Sequence, residues 1–313
     1  VENCLVRGNS SSGIEVAVGD NVVVRNCTVL GGAIGIRNLG SKNLTLLNNI
    51  VVADGTGNYC LSVEYLNNYG YGTLKQSDYN DLFASNGAAV GSAITQATLT
   101  DWRVTFPTLD AHSLSRDPRF VSASDFHEQS SAGSYHGGAW TADANNSPAI
   151  DTGFGEMGGE TGVNSTPLHG NGEGQRNLGA YGGTEQGSRT PAARLAWLYK
   201  PVGAENYLTA APLEIRWTWV GTGWQSGERV LLESSANAGV SWSTIQSTVG
   251  VSDGTYSWDI SGVAASPLYR VRVTGNPVGS ISDQSPNDFR IGQNLVFYVN
   301  DSSTSNDEWC TAA

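Results

Sequence analysis

The stretch that decides the fold is Asn21-Val-Val-Val-Arg-Asn-Cys-Thr-Val29, which returns as Asn43-Leu-Thr-Leu-Leu-Asn-Asn-Ile-Val51. Corresponding residues of these two segments lie 22 positions apart (43 − 21 = 22). A shorter copy, Asn3-Cys-Leu-Val6, precedes Asn26-Cys-Thr-Val29 by 23 positions (26 − 3 = 23). Short apolar runs that recur at a period in the low twenties predict a coil whose turns stack on one another.

The residue types within the repeat favour strands. Valine, isoleucine and threonine fill the short runs, and asparagine and glycine separate them, which is typical of strands joined by tight bends. Leucine-rich repeats have a similar period, but their leucines at fixed offsets are absent here. The sequence therefore predicts an all-β protein that begins with a parallel β-helix. An antiparallel β-sandwich with asparagine-rich loops is the alternative that the repeat leaves open.

Asparagines at equivalent positions of consecutive turns predict a ladder. Asn3, Asn26 and Asn48 would stack about one strand spacing apart, roughly 4.8 Å. Their amides can donate and accept hydrogen bonds along such a stack, and asparagine tolerates the left-handed backbone of a tight bend. We therefore expect the amide of Asn26 to bond to both neighbours. An aliphatic stack is expected beside the ladder, at Val6, Val29 and Val51.

Composition and charge exclude several classes of function. The chain has 313 residues, a formal net charge of −12 and an isoelectric point near 4.7. Since an acidic surface repels phosphate backbones, we expect no nucleic-acid partner. No run of about 20 apolar residues is present, so we expect no membrane span. Val1 already lies inside a repeat, and we therefore expect an N-terminally truncated β-helix over residues 1–190.

Four cysteines are spread along the chain, at Cys4, Cys27, Cys60 and Cys310. Their spacing lacks the C-x-x-C pattern of a zinc site. Cys4 and Cys27 occupy equivalent positions of neighbouring turns, where two free thiols can stack as small apolar side chains. A disulfide between them also agrees with the spacing of adjacent strands. The sequence leaves both states open.

Three motifs follow the repeat: Asp110-Ala-His-Ser-Leu-Ser-Arg-Asp-Pro-Arg-Phe120, Ser147-Pro-Ala-Ile-Asp-Thr-Gly153 and Arg176-Asn-Leu-Gly-Ala-Tyr-Gly-Gly-Thr184. They resemble the closing segment of bacterial secreted and surface proteins with right-handed parallel β-helix repeats. That broad family includes polysaccharide lyases and many proteins of unassigned activity. The resemblance implies a right-handed helix and a secreted or cell-surface location. The sequence departs from the family pattern at Ser134 and Phe154, where family members often have charged residues. These departures put the local salt bridges of the family in doubt.

Acidic residues and a histidine in these motifs have the composition of a metal or acid–base site. They are Asp110, His112, Asp117 and Asp151. A short aspartate beside proline or in a turn caps backbone N–H groups, and we expect that structural role here.

Residues 191–293 have a different pattern, which predicts a second domain. Leu213-Glu-Ile-Arg-Trp-Thr-Trp219 alternates between apolar and polar residues, and further short strands with turn signals surround it. This pattern predicts an antiparallel β-sandwich and resembles the immunoglobulin-like modules of secreted bacterial proteins. We expect few contacts across the polar linker at 185–194. The tail, residues 294–313, resembles the opening strand of another β-helix.

Candidate carbohydrate-binding residues lie on the outer face of the coil and in loops. Glu15 and Arg37 lie 22 positions apart (37 − 15 = 22) and would form an ion pair on the outer face. Tyr65 and Tyr69 lie in a loop that widens the coil, where their rings can stack on sugars or cover the end of the core. Trp224 lies in a glycine-rich loop, where we expect an exposed indole.

Two functions agree with these patterns. The first is a structural or adhesive part of a large extracellular tandem-module protein that binds polysaccharide or a cell-surface glycan weakly. The second is a polysaccharide lyase or glycosidase whose active-site turns are partly missing. A lyase needs a basic residue and a group that neutralises a carboxylate, and a glycosidase needs paired carboxylates. The sequence assigns no catalytic residue and predicts no cofactor, with Ca²⁺ left open.

Overall fold

The computed structural model describes residues 1–66, 70–92, 96–155, 175–225, 227–276 and 282–292. Within these ranges the protein is all-β and contains both parallel and antiparallel sheets. The tail at 294–313, for which another β-helix strand was expected, lies outside the described residues.

The strands of the first part are short, and one helix follows them. They are β1 (Leu5–Arg7), β2 (Ser12–Val16), β3 (Val23–Arg25), β4 (Thr28–Leu30), β5 (Ile34–Leu39), β6 (Leu44–Leu47), β7 (Ile50–Asp54), β8 (Tyr59–Leu66), β9 (Gly70–Tyr71), β10 (Leu74–Asp78), β11 (Asp81–Ser85), β12 (Ala89–Gly91) and α1 (Leu99–Thr105).

Three parallel sheets are built from these strands, in the orders β1-β4-β7-β11, β3-β6-β10 and β2-β5-β8-β12. The chain visits one strand of each sheet and then returns to the first sheet, one strand further on. Strand β9 departs from this plan because it pairs with β8 in an antiparallel hairpin.

The strand register reproduces the period of the sequence. Val6 pairs with Val29, Val29 with Val51, and Val51 with Leu82. The last three of these side chains have no solvent exposure (0%). Burying one such aliphatic side chain contributes about 1.5–3 kcal/mol. The column of aliphatic side chains is therefore a major source of cohesion between turns.

Asn3, Asn26 and Asn48 adopt the left-handed backbone of a tight bend, with φ of 50°, 49° and 58°. The prediction that their amides bond to one another is wrong. Asn48 instead exchanges two hydrogen bonds with the backbone of Phe154, at 2.9 Å and 2.7 Å. Asn26 Oδ1 accepts from Arg176 Nη1 at 3.1 Å, and Asn3 Nδ2 donates to backbone carbonyls of the same closing segment. The left-handed conformation turns these side chains outward.

The hydrogen-bonded ladder lies one position later in the chain and faces the interior. Asn49 Oδ1 accepts from Cys27 N, and Asn49 Nδ2 donates to Val24 O and to Asn80 Oδ1, each at 3.0 Å. Asn80 Nδ2 continues the ladder to Asp110 Oδ1 at 3.3 Å. The buried amides therefore satisfy backbone groups of the turn before and the turn after. Cys4 and Cys27 occupy this column in the first turns, as free thiols.

Helix α1 covers the last turn of the coil. It begins with a capping box between Thr98 and Asp101. Its Trp102 is 1% exposed and packs on the interior of the coil. Trp102 Nε1 donates to Asp110 Oδ2 at 2.8 Å, which ties the helix to the ladder. After it, β13 (Ser134–His136) and β14 (Ala139–Thr141) form a small antiparallel hairpin.

The second part contains nine more strands and one turn of 3₁₀-helix (Val251–Asp253) among its described residues. The strands are β15 (Leu195–Lys200), β16 (Asn206–Leu208), β17 (Leu213–Val220), β18 (Arg229–Ser235), β19 (Ser243–Gly250), β20 (Thr255–Trp258), β21 (Ser266–Asn276), β22 (Asp283–Gln284) and β23 (Phe289–Gly292). One sheet has the order β15-β17-β20, and the other has the order β16-β23-β21-β18-β19, with β22 on β21.

The two sheets of the second part share one apolar core. Leu198 and Trp217 from the first sheet pack in the same buried cluster as Leu232, Val271 and Phe289 from the second. Pairing is antiparallel as expected, except that β16 and β23 are parallel.

Buried contacts join the two parts, whereas few contacts were expected. Arg103 Nη1 of helix α1 donates to Tyr199 O at 3.0 Å. Arg116 forms an ion pair with Asp283 at 2.7 Å, with both side chains largely buried. Ile150 packs in one buried cluster with residues of β15 and β17. The junction is therefore a packed interface.

Removing the inner ladder should destabilise the coil more than removing an outward side chain. Asn49→Ala leaves Cys27 N, Val24 O and Asn80 with missing partners in a buried bend, so we expect a loss of about 2–4 kcal/mol in the free energy of unfolding. Thr45→Ala, on the outer face of β6, should cost under about 1 kcal/mol. Denaturant unfolding measures both, and equal losses would contradict the ladder.

A buried carboxyl group at the start of β11 links stability to pH. Asp81 has no solvent exposure, and its Oδ1 accepts from Arg116 N at 2.9 Å. Its Oδ2 has no hydrogen-bond partner among the described residues. Burial raises the pKa of Asp81 to about 7, and burial likewise raises the pKa of Asp151 to about 7. Both groups stay protonated in the folded protein at mildly acid pH.

Stability should therefore fall as the pH rises from about 4 to about 8. The stabilisation from a raised pKa is complete below the unfolded-state value near pH 4 and is lost through the folded-state value near pH 7. Each such group contributes at most about 1.4 kcal/mol per pH unit. Asp81→Asn should flatten part of this slope, while the exposed-site variant Glu185→Gln should leave it unchanged. Unfolding free energies measured across this pH range check it; a slope unchanged by Asp81→Asn would refute the assignment.

Candidate functional site

Side chains that point out of the coil form a column beside the first sheet, and this column changes from asparagine to aromatic residues in its last turns. The register places Tyr79 above Asn48 and His112 above Tyr79. Tyr79 keeps the left-handed conformation, with φ of 52°. Asparagine accepts this conformation readily, whereas a bulky residue rarely does. An aromatic residue at this point has a conformational cost that earlier turns avoid, and such costs concentrate at functional sites.

Asp78 fixes the orientation of His112. The carboxylate Oδ2 lies 2.8 Å from His112 Nδ1, and Oδ1 accepts from the His112 backbone N–H at 2.7 Å. The imidazole stacks on the Tyr79 ring, with 4.8 Å between ring centroids and 14° between planes. The His112 side chain remains 41% exposed. The two rings therefore form a fixed, partly exposed pair flanked by Phe154 and Tyr199, which we call the aromatic platform.

The aromatic platform lines a cleft of about 430 Å³, which we call the first cleft. The opposite side comes from the second part of the chain and offers carboxylate, guanidinium and hydroxyl groups. The polar lining residues are Glu214, Arg216, Thr218, Ser252, Asp253 and Thr255. Aromatic rings beside a few convergent polar groups are a common composition for a ligand site.

A second cleft, of about 770 Å³, adjoins the first, because Glu214 and Arg216 line both. Arg103 of helix α1 and Glu205 lie at its base. Burial raises the pKa of Glu205, whose carboxylate accepts from backbone N–H groups at 2.7 Å. Lys200 lines the same cleft and lies 3.8 Å from Glu214.

Arg103 is the buried side chain that shapes the wall between the coil and the second part. Its Nε donates to Asp110 O at 2.7 Å, its Nη2 to Ser113 O at 2.9 Å and its Nη1 to Tyr199 O at 3.0 Å. Because these carbonyl groups belong to both parts, one guanidinium holds the two sides of the clefts in place.

The structure brings the expected pair Glu15 and Arg37 together and adds a second glutamate. Arg37 Nη1 lies 3.2 Å from Glu15 Oε2, and Arg37 Nη2 lies 2.5 Å from Glu64 Oε2. Ser62 Oγ donates to Glu64 Oε1 at 2.6 Å. The guanidinium is thus shared by two carboxylates on the outer face of the third sheet, away from the clefts' lining.

The aromatic candidates have different outcomes. Trp224 is 2% exposed, and its Nε1 donates to Leu195 O and Val220 O at 3.1 Å, so the prediction of an exposed indole is wrong. Its loop folds back and places the ring in the core of the second part. Tyr65 lies in β8, but its side chain is outside the described part of the structure, as is all of Tyr69.

A Ser–His–Asp arrangement in the β13–β14 hairpin has no nucleophilic geometry. Ser134 Oγ lies 2.9 Å from His136 Nε2, and Asp125 Oδ2 lies 3.6 Å from His136 Nδ1. Ser134 has no solvent exposure, and its hydroxyl donates to Asp143 Oδ2 at 2.6 Å. A nucleophilic serine must be accessible and must give its proton to the histidine. The cluster therefore anchors the hairpin.

The described ranges contain neither a candidate metal site nor a helix that could span a membrane. Across them, His, Cys, Asp and Glu side chains nowhere gather in a group of three or more that could hold a metal ion. In the same ranges, no helix combines the length and apolar character needed to cross a bilayer.

Comparison of the chain with family models, with curated proteins and with solved structures found no match.

Replacing Arg103 should weaken the junction that shapes both clefts. Arg103→Met removes the donor from the buried carbonyl oxygens of Ser113 and Tyr199 and leaves Asp110 O with Ser113 N alone, at 3.3 Å. We therefore expect a loss of about 3 kcal/mol in the free energy of unfolding. Arg25→Met, which breaks only an exposed ion pair with Glu2, should cost under about 1 kcal/mol. Denaturant unfolding followed by circular dichroism compares them, and a similar small loss in both variants would argue against the role of Arg103.

Proposed function

We propose that this chain is a glycan-binding, structural module of a secreted or cell-surface protein. Residues 1–190 are proposed to form a right-handed parallel β-helix that acts as a stiff support. Residues 191–293 are proposed to form an immunoglobulin-like sandwich. The binding site is the first cleft, at the junction of the two.

The aromatic platform of Tyr79 and His112 is the observation that carries the proposal. Sugar rings present an apolar face of C–H groups and an edge of hydroxyl groups. A fixed, partly exposed pair of rings can take the face by stacking. Carboxylate, guanidinium and hydroxyl groups on the opposite wall can hydrogen-bond to the edge. The open shape of the cleft favours a polymer that passes through it.

Two observations favour binding over bond cleavage. The carboxylate of Asp78 is engaged by the side chain and backbone of His112, which leaves it poorly placed to take a proton from a sugar. The carboxylate of Asp253 accepts from Gly250 N at 3.0 Å, as a turn cap. The lyase or glycosidase interpretation remains the alternative. It would be favoured by release of unsaturated or reducing ends from a polysaccharide.

Tyr79→Asn is the substitution that tests the site. It removes the ring but keeps a residue suited to φ of 52°, as in the preceding turn. We expect glycan affinity to fall at least about tenfold, which corresponds to about 1.4 kcal/mol, while the protein stays folded. Affinity electrophoresis and calorimetry with soluble glucan, xylan and polygalacturonate measure the effect.

Trp242→Ala is the matched control. Trp242 is a partly exposed aromatic residue of the second part that contacts Arg272 at 4.3 Å, and it does not line either cleft. Its loss should leave binding unchanged. Wild-type protein that binds none of the polymers, or equal binding by wild type and Tyr79→Asn, would overturn the proposed site.

A further inference from the structure

Two cations lie directly opposite each other in the sheet that forms the wall between the clefts. Lys200 of β15 pairs in register with Arg216 of β17. Directly opposed residues of antiparallel strands project on the same face, and like charges in such pairs are destabilising. Both side chains line the second cleft. An unfavourable pair retained at the wall of a cleft points to an anion as its partner.

A single carboxylate compensates the two cations only in part. Glu214 Oε1 lies 2.9 Å from Arg216 Nε, and its Oε2 lies 3.8 Å from Lys200 Nζ, beyond hydrogen-bond distance. In the described residues, the Nη groups of Arg216 and the Nζ of Lys200 have no other acceptor. These side chains are 34% and 37% exposed, so a ligand can reach them.

Most acidic groups of the second cleft already have partners. Both oxygens of Glu205 accept from backbone N–H groups, of Val202 and Gly203. Asp101 Oδ2 accepts from the backbone and the hydroxyl of Thr98, at 2.9 Å and 2.8 Å. The two cations on the wall therefore keep donors that these acids do not use. Such a cleft favours a ligand that accepts hydrogen bonds and carries negative charge.

A buried hydroxyl adds to this surplus of donors. Tyr207 lines the second cleft, and its Oη is buried with no hydrogen-bond partner among the described residues. A buried donor without a partner is unfavourable, so a ligand acceptor atom that reaches this hydroxyl would be stabilised.

We propose that the second cleft binds the carboxylate of an acidic sugar residue, held by Lys200 and Arg216, while the aromatic platform in the first cleft stacks a neighbouring residue of the same chain. This inference rests on the proposed function and narrows it to uronate-bearing glycans. Arg216 lines both clefts, so one linear oligosaccharide can contact the two subsites. The planar guanidinium can bind a carboxylate with two parallel hydrogen bonds.

The test compares two ligands that differ only in charge: trigalacturonate and its fully methyl-esterified form. Calorimetry on the wild type should give at least about fivefold tighter binding of the charged form. Lys200→Gln should abolish that preference. Glu214→Gln removes the competing carboxylate and should raise the preference further. Lys42→Gln, at an exposed lysine of the coil that lines neither cleft, should change nothing.

The outcomes separate this inference from the function on which it rests. Esterified or neutral oligosaccharides that bind and depend on Tyr79, with no preference for the free acid, overturn the carboxylate site alone. A preference that survives Lys200→Gln overturns it as well. A sulfated oligosaccharide that binds more tightly than trigalacturonate would replace the carboxylate by sulfate and refute the assignment. Wild-type protein that binds no oligosaccharide overturns both proposals.

Discussion

The stacking of turns at one strand spacing is the constraint on which the rest of the structure depends. The bends that lead into β4, β7 and β11 bury backbone N–H and C=O groups that a single turn cannot satisfy. Asn49 and Asn80 solve this by bonding to the turn before and the turn after, inside the coil. These bends therefore obtain their hydrogen bonds from the neighbouring turns. The ends of the stack need separate cover, which helix α1 provides on one side.

The period predicted more of the architecture than of the contacts. It placed the valine column and the order of turns, since both depend only on which residues recur. It misplaced the ladder by one residue, because asparagine recurs at Asn3, Asn26 and Asn48, whereas the inner column holds cysteine in its first two turns. The backbone distinguishes the two columns: φ of 58° at Asn48 turns its amide outward, and the extended residue after it faces the interior. Register alone therefore does not decide which amide faces the interior, since Asn48 is also buried, beneath the closing segment.

The clefts could not be predicted, because their residues are far apart in the sequence. Tyr79 and Glu214 come from different parts of the chain, and only the packed junction brings them together. A signal was nevertheless present: Tyr79 stands immediately before the ladder residue Asn80, where the preceding turn has Asn48. Trp224 is the opposite case, a residue for which the sequence predicted a site that the structure does not contain. A glycine-rich loop suggested exposure, but the same flexibility lets the loop fold back and bury the indole.

The net charge of the surface acts on a charged ligand at long range, whereas the cations of the second cleft act at contact. A net charge of −12 repels an anionic polymer as it approaches. In the proposed complex, Lys200 and Arg216 would act only once a carboxylate has entered the cleft, where hydrogen bonds and partial burial strengthen the attraction. Salt screens charges beyond about 8 Å at physiological ionic strength. Raising the salt concentration therefore weakens the repulsion of the whole surface more than the attraction of the cationic pair. If the chain binds an acidic glycan as proposed, association would be slower in dilute buffer than where ions are abundant.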